Sequence, residues 1–498
     1  MKDAQFFRPS SLRDLVMRVT CVLMLAGFCV AAQGDTLTQV RKLVDAGQFK
    51  SAEAQLAAAL AQPAVPASQR AALTFERERM RRILLDFSLN AEDVQSRLRR
   101  QIPDLTPAEF AAWDAAGLLE RQLIDGRTLY FNRAPSNLFR LSAAAVKRRS
   151  ASTPPWTDGP METANAYHRE VRDQALATRK HFVAPRHVRV TYSLTVNADA
   201  VPNGEALRAW LPFPRALPGQ QEGVRLVEST PTEHNIAPES ALQRTVYLER
   251  RAESGKPTLF SITYELTVFG QYHPIDPAKV ESAPRTPALA PHLAERAPHI
   301  VFTPAIRKFS REIVGAETNP YRIAQKLFAA VDRIPWAGAR EYSTISNISD
   351  YALHAGHADC GQQTLLLMTL LRLNGIPTRW QSGWVYSDAQ IGNEKYDNMH
   401  DWGQLYLQPY GWVPMDVTFG RLASGDPQID AFYLGGLDAY RIAFNDDFSQ
   451  PFVPAKQHFR SDTVDSQRGE VEWRDGNLYF DQWDYKFEAH VLTVTNGG

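Results

Sequence analysis

Residues 360–373, Cys-Gly-Gln-Gln-Thr-Leu-Leu-Leu-Met-Thr-Leu-Leu-Arg-Leu, constrain most strongly what this chain can fold into. The run reads as a helix that is apolar nearly all round, and such a helix has no face to offer to water, so other elements must enclose it. Asn374-Gly375-Ile376-Pro377 supplies the stop near Leu373. Strand-like segments follow at Thr378–Val385, Trp402–Leu407 and Trp412–Val417, and a helix is expected over Pro320–Val331. Residues 295–498 therefore mix helix and strand around one buried helix. Asn477–Val494, rich in aromatic and β-branched residues, is expected to add strands.

Two other patterns precede this one. Val188–Val196 and Phe260–Val268 alternate strictly, the mark of half-buried strands. Shorter candidates at Leu207–Leu211, Val224–Val227 and Thr245–Leu248 complete a small antiparallel sandwich. Proline-rich 274–291 reads as a linker or a wrapped arm.

Residues 34–178 read as mostly helical. Apolar residues from Leu37 to Leu60 recur at helical spacing, with a break at Gly47 that predicts a helical hairpin. Thr106-Pro107-Ala108-Glu109 carries an N-cap, a first-turn proline and the glutamate of a capping box. Ile124–Phe131 reads as a turn between strand-like residues, and the Ser/Thr/Pro-rich 150–160 as a linker or surface loop.

The 498 residues exceed what one core fills, so several domains are expected. Lys2, Arg8, Arg13 and Arg18 lead into an apolar run at Val19–Ala32, and cleavage of an export signal is expected near Ala32 or Gln33. An uncleaved anchor is the alternative, disfavoured because 14 apolar residues are few for a bilayer span. Beyond residue 33 the balance is 51 basic to 53 acidic residues, without charged blocks, which gives no support for nucleic-acid or anionic-membrane binding. No later stretch reads as a membrane span. The expected organisation is a signal peptide at 1–33, a helical region at 34–178, a β-sandwich at 179–275 and a mixed helix-and-strand domain at 276–498.

Cys21 and Cys29 lie within the leader, so the processed chain keeps Cys360 alone and forms no internal disulfide. Cys360 stands at the start of its helix, where the helix N-terminus is expected to favour the thiolate. His400 opens a strand, and Asp416 closes the next one across the turn Gln408-Pro409-Tyr410-Gly411. Paired as a hairpin, the two strands let Asp416 orient one imidazole nitrogen while the other faces Cys360. Asp401, the neighbour of His400 on the strand, is expected to face away from the thiol. Trp402 shares the His400 face and is placed to pack there and to shield a His–Asp hydrogen bond. A structural role for each residue taken singly remains open. His354, His357, Asp359 and Cys360 also make a ligand-rich heptad, but no second ligand pair completes a zinc site. No loop spaces carboxylates for calcium, and no cofactor is expected.

Taken together these residues resemble the transglutaminase-like superfamily in its exported bacterial form. The resemblance rests on Asp359-Cys360-Gly361, Leu371-Arg372 with Gly375-Ile376-Pro377-Thr378-Arg379, Gln381-Ser382-Gly383-Trp384, His400-Asp401-Trp402 and Gly411–Thr418. It extends from about residue 180 through the C-terminus, including Tyr440-Arg441 and Phe480–Trp483. It implies an α+β fold: a papain-like core preceded by an immunoglobulin-like sandwich and an N-terminal helical region. It implies Cys360 as nucleophile, His400 as base and Asp416 as orienter. His354 and His357, without a complete zinc site, are expected to be pocket walls. The second oxyanion donor is sought in Tyr342–Asn347 or at Trp336.

Two functions follow from different classes. One is a thiol enzyme forming an acyl-enzyme from an amide, resolved by hydrolysis or by transfer to an amine. Its substrate would be a peptide, protein or glycopeptide in the periplasm or outside the cell. The other is a non-catalytic scaffold on the same fold, with a protein partner for the helical N-terminal region; an intact Cys, His and Asp set argues against it.

Overall fold

The computed structural model describes residues 36–151, 162–386 and 399–492. The expected leader and most of the 150–160 linker lie outside the described residues. Two compact units are present. The first is formed by the chain up to Ser96 with Glu120–Asn132, and the second by Arg97–Leu119 with Arg133 onward.

In the first unit, helices at 36–45 and Phe49–Leu60 make the expected hairpin. Gly47 turns it with φ +70°, and a Cβ there would meet Leu123 O at 2.0 Å, so only glycine fits. Val40, Val44, Phe49, Ala52 and Leu56 are buried in this unit, which also contains the long helix Ala67–Asp86. Arg121–Ile124 and Arg127–Tyr130 pair as a hairpin through the expected turn.

The second unit holds the capping box: the Thr106 side chain accepts from Glu109 N, and the Glu109 carboxylate accepts from Thr106 N at 3.0 Å. It also holds the sandwich. Strand Phe182–Val196 pairs antiparallel with Thr258–Tyr272, and the alternating residues Val188 to Val196 and Phe260 to Val268 point into the core. Ala206–Pro212 pairs with Thr245–Arg251 in the second sheet. The sandwich is not contiguous in sequence. Trp483–Val491 pairs with Phe182–Val196, and Glu470–Trp473 pairs with Ala206–Pro212. The far end of the chain thus supplies strands to both sheets. Alternation marks a strand's buried face but carries no record of its partner, so this return was not legible.

The remaining sheet carries the site. Its strands are β1 (Thr378–Val385), β2 (Met399–Leu407), β3 (Gly411–Met415) and β4 (Arg441–Asn445), in the order β3-β2-β1-β4. β2 and β3 form the expected antiparallel hairpin. Pro414 is tolerated because β3 lies at the sheet edge. The helix Cys360–Leu373 packs against this sheet with nearly every residue buried. Replacing any one of Leu365, Leu366, Leu370 or Leu371, all fully buried, by Ala would cost about 2–5 kcal/mol. The fold is α+β, as the sequence implies.

Candidate active site

The Cys360 helix begins in a capping box. The Asp359 carboxylate accepts from Gln362 N at 3.0 Å, and the Gln362 side chain accepts from Asp359 N. Cys360 therefore occupies the first helical position, partly exposed, and lines a cavity of about 160 Å³ with Trp336, Tyr342, Asp359, Asp401, Asp462 and Gln467 among the other walls. Gly361 is fixed by close approach: a Cβ would lie 2.1 Å from Tyr342 Oη and 2.8 Å from Asp401 Oδ2.

His400 and Asp401 alternate across β2. The His400 Nε2 and Asp416 Oδ2 atoms are 2.7 Å apart, and both side chains are buried. Asp416 stays ionised in this burial because it is surrounded by donors. Arg441 Nη1 donates to the same Oδ2 at 2.5 Å, and the Thr418 and Phe419 amides donate to Oδ1 at 3.1 Å. Burial alone would raise the Asp416 pKa, but His400 and Arg441 hold it well below the ordinary carboxylate range. Arg441 in turn donates to Asp438 Oδ2 at 2.5 Å. Trp402 and Phe419 flank the His400 ring at centroid distances of 6.1 and 4.4 Å, and the Arg441 guanidinium lies over Trp402, Phe419 and Tyr433. This aromatic box excludes water from the ion pairs and strengthens them. Among the described residues His400 Nδ1 has no hydrogen-bond partner.

The thiol is paired differently from expectation. Cys360 Sγ donates to Asp401 Oδ2 at 3.2 Å, and no hydrogen bond joins Cys360 to His400 among the described residues. Asp401 does not face away from the thiol. The alternation rule holds, but the N-terminus of the Cys360 helix packs on the face that Asp401 takes, where Thr364 Oγ1 also donates to Asp401 O at 3.3 Å. The expected thiolate is not favoured either. Burial pushes the Cys360 pKa well up, and the Asp401 and Asp359 carboxyls push it further. The capping carboxylate of Asp359 occupies the helix N-terminus that was expected to stabilise the thiolate.

Asp401 sits in a buried carboxyl cluster. Its Oδ2 accepts from Tyr342 Oη at 3.1 Å, and its Oδ1 from Gln467 Nε2 at 3.1 Å. Tyr342 Oη also donates to Asp359 Oδ1 at 3.0 Å. Burial raises Asp359 to about 6, and raises Asp401 well above its ordinary value with Asp465 and Asp359 contributing. Trp336 lines the cavity, and among the described residues its Nε1 is buried without a hydrogen-bond partner. His354 and His357 do not line the cavity; their Nδ1 atoms pair with Asp350 O and Ala355 O. Among the described residues no three His, Cys, Asp or Glu side chains converge as a metal-holding group.

Residues 307–417, from before the buried helix through Asp416 to Val417, match the transglutaminase-like superfamily. They are a transglutaminase-like domain. No curated protein matches the chain. Among solved structures, a candidate cysteine protease from Cytophaga hutchinsonii aligns over 62% of this chain and 99% of its own, at 15% identity and a TM-score of 0.40. The periplasmic domain of TgpA from Pseudomonas aeruginosa aligns over 50% of this chain and 91% of its own, at 16% identity and a TM-score of 0.25. Arg441 lies outside the matched residues of the transglutaminase-like domain, and its clamp on Asp416 is a feature that sequence reading missed. The only signal was the Tyr440-Arg441 pair, which carries no spacing to Asp416 that chemistry dictates. No helix among the described residues is long and apolar enough to cross a membrane.

Proposed function

We propose that this protein is a cysteine-nucleophile enzyme that forms an acyl-enzyme at Cys360 from an amide substrate, a peptide, protein or glycopeptide. The observation that carries the reading is the 2.7 Å pair between His400 Nε2 and Asp416 Oδ2. A buried carboxylate held ionised by Arg441 fixes the imidazole and stabilises it when it charges, the task of the third member of an acyl-transfer triad. The acceptor of the acyl group is water in a peptidase or amidase and an amine in a transferase. The basic, apolar leader and the single remaining cysteine support export to the periplasm or beyond.

The test is an activity screen of the chain from residue 34 onward. Peptides, cell-wall fragments and casein would be incubated with and without a fluorescent alkylamine, and the products read by mass spectrometry. Hydrolysis or amine incorporation that disappears in Cys360→Ala and in His400→Ala supports the proposal. Activity that survives Cys360→Ala overturns it.

A further inference from the structure

A sheet that ends on a strand invites another strand to pair with it, and folded proteins guard such edges with short strands, bulges, prolines or charges. Among the described residues, the edges of the sandwich and of the sheet that carries the site show these guards, with one exception. Gly436–Leu437, Asn235–Ile236 and Gly476–Leu478 end their sheets on two or three residues. Gly411–Met415 carries Pro414, and Arg441–Asn445 slips in register between Ala443 and Asn445. Gln221–Thr230 is long, but its register slips twice, between Glu222 and Arg225 and between Leu226 and Glu228.

The exception is Trp483–Val491. It ends its sheet, pairs with Phe182–Val196 over nine residues without a slip, and among the described residues has no strand on its other side. We propose that this edge docks a second copy of the chain. The two Trp483–Val491 strands pair antiparallel about a two-fold axis at Phe487, and two sandwich sheets become one.

The side chains select both the partner and the register. Trp483, Tyr485, Phe487 and Ala489 are buried on the core face, where Phe487 stacks on Trp384 at 4.2 Å. Asp484, Lys486, Glu488 and His490 take the other face. An added strand must keep its apolar residues on the core face, so the axis passes through a residue and not between two. With the axis at Phe487, Lys486 of each copy stands opposite Glu488 of the other, and Asp484 opposite His490. An axis at Lys486 sets lysine against lysine and Asp484 against Glu488. An axis at Glu488 sets glutamate against glutamate. Opposed unlike charges stabilise paired strands and opposed like charges destabilise them. The pattern therefore accepts a second copy in the Phe487 register and rejects both neighbouring ones.

The home sheet makes less use of these charges. Ser193 lies opposite Lys486 and Thr191 opposite Glu488, so neither receives a counter-charge from across the strand. Lys486 pairs instead with Glu488 along its own strand, at the surface, where such a pair contributes little. In the dimer each gains a counter-charge from the other copy. The contact is isologous and uses up the edge on both sides, so assembly stops at two copies.

The test is the association state of the chain from residue 34 onward, by sedimentation equilibrium from about 1 to 100 μM, a range suited to a small interface. The wild type should pass reversibly from monomer to dimer. Lys486→Glu opposes glutamates across the axis and Glu488→Lys opposes lysines. Each should weaken self-association at least about 10-fold. Mixed in equal amounts, the two single variants restore both Lys–Glu pairs between unlike copies and should dimerise like the wild type. The double variant, with the two residues exchanged, should do the same. A wild type that stays monomeric throughout the range overturns the proposal. So does a dimer that neither single variant weakens, or single variants that do not recover on mixing. Hydrogen exchange needs no variant: the Trp483–Val491 amides should exchange more slowly at the high end of the range, and equal rates at both ends overturn the proposal.

Discussion

Arg441 and His400 converge on one oxygen, Asp416 Oδ2, from 2.5 and 2.7 Å. The same guanidinium reaches Asp438 Oδ2 at 2.5 Å, so a single cation neutralises two buried carboxylates. Arg441→Met leaves both uncompensated and should cost about 3–5 kcal/mol, the range for breaking one partner out of a buried pair. Urea unfolding measures it. A loss below about 1 kcal/mol, the level of an exposed pair, would contradict the clamp.

The Asp416 pKa is lower in the folded protein than in the unfolded chain. Its stabilisation is therefore fully present above about pH 4 and is lost as pH falls through the lowered folded value. Asp416→Asn removes that dependence. The stability gap between wild type and variant should be widest above about pH 4 and should narrow in stronger acid. A gap that stays constant across this range would count against an ionised Asp416.

Asp359 has the opposite sign. Burial raises its folded value to about 6. Its contribution is complete below the unfolded value and disappears as pH rises through about 6. Asn keeps the cap on Gln362 N without the charge. Asp359→Asn should therefore flatten the fall of thermal stability between acid and neutral pH. Parallel wild-type and variant curves would refute the raised value.

Trp336→Phe keeps the ring and removes the unpartnered N–H from the cavity wall. If that N–H serves the oxyanion, acyl-enzyme formation should fall about 10²–10³-fold, the usual cost of one such donor. Alkylation of Cys360 by iodoacetamide forms no oxyanion and should be unchanged. A parallel drop in both rates would reassign Trp336 to packing.

Much of the site was legible because local chemistry encodes it. The capping box at Thr106, the helix from Cys360 to Leu373 and the hairpin carrying His400 and Asp416 all lie within short spans whose turn and cap residues are explicit. The 2.7 Å His400–Asp416 contact follows from hairpin pairing, which two-residue periodicity and a short turn nearly dictate. The thiol's surroundings were not legible. Alternation says that His400 and Asp401 face opposite ways, but not which of them meets a helix 40 residues earlier.

By itself the sequence determined the buried helix, the alternating strands, the lone Cys360 and the pairing of His400 with Asp416, because each rests on near neighbours in the chain. Only the tertiary structure decided that Asp401 meets the thiol, that Arg441 clamps Asp416 and that Asp465 and Gln467 close the carboxyl cluster. It also returned Trp483–Val491 to the sandwich at the opposite end of the chain. These are contacts between distant segments. They are set by which apolar faces cover one another, and burial then fixes the charge each carboxyl can carry.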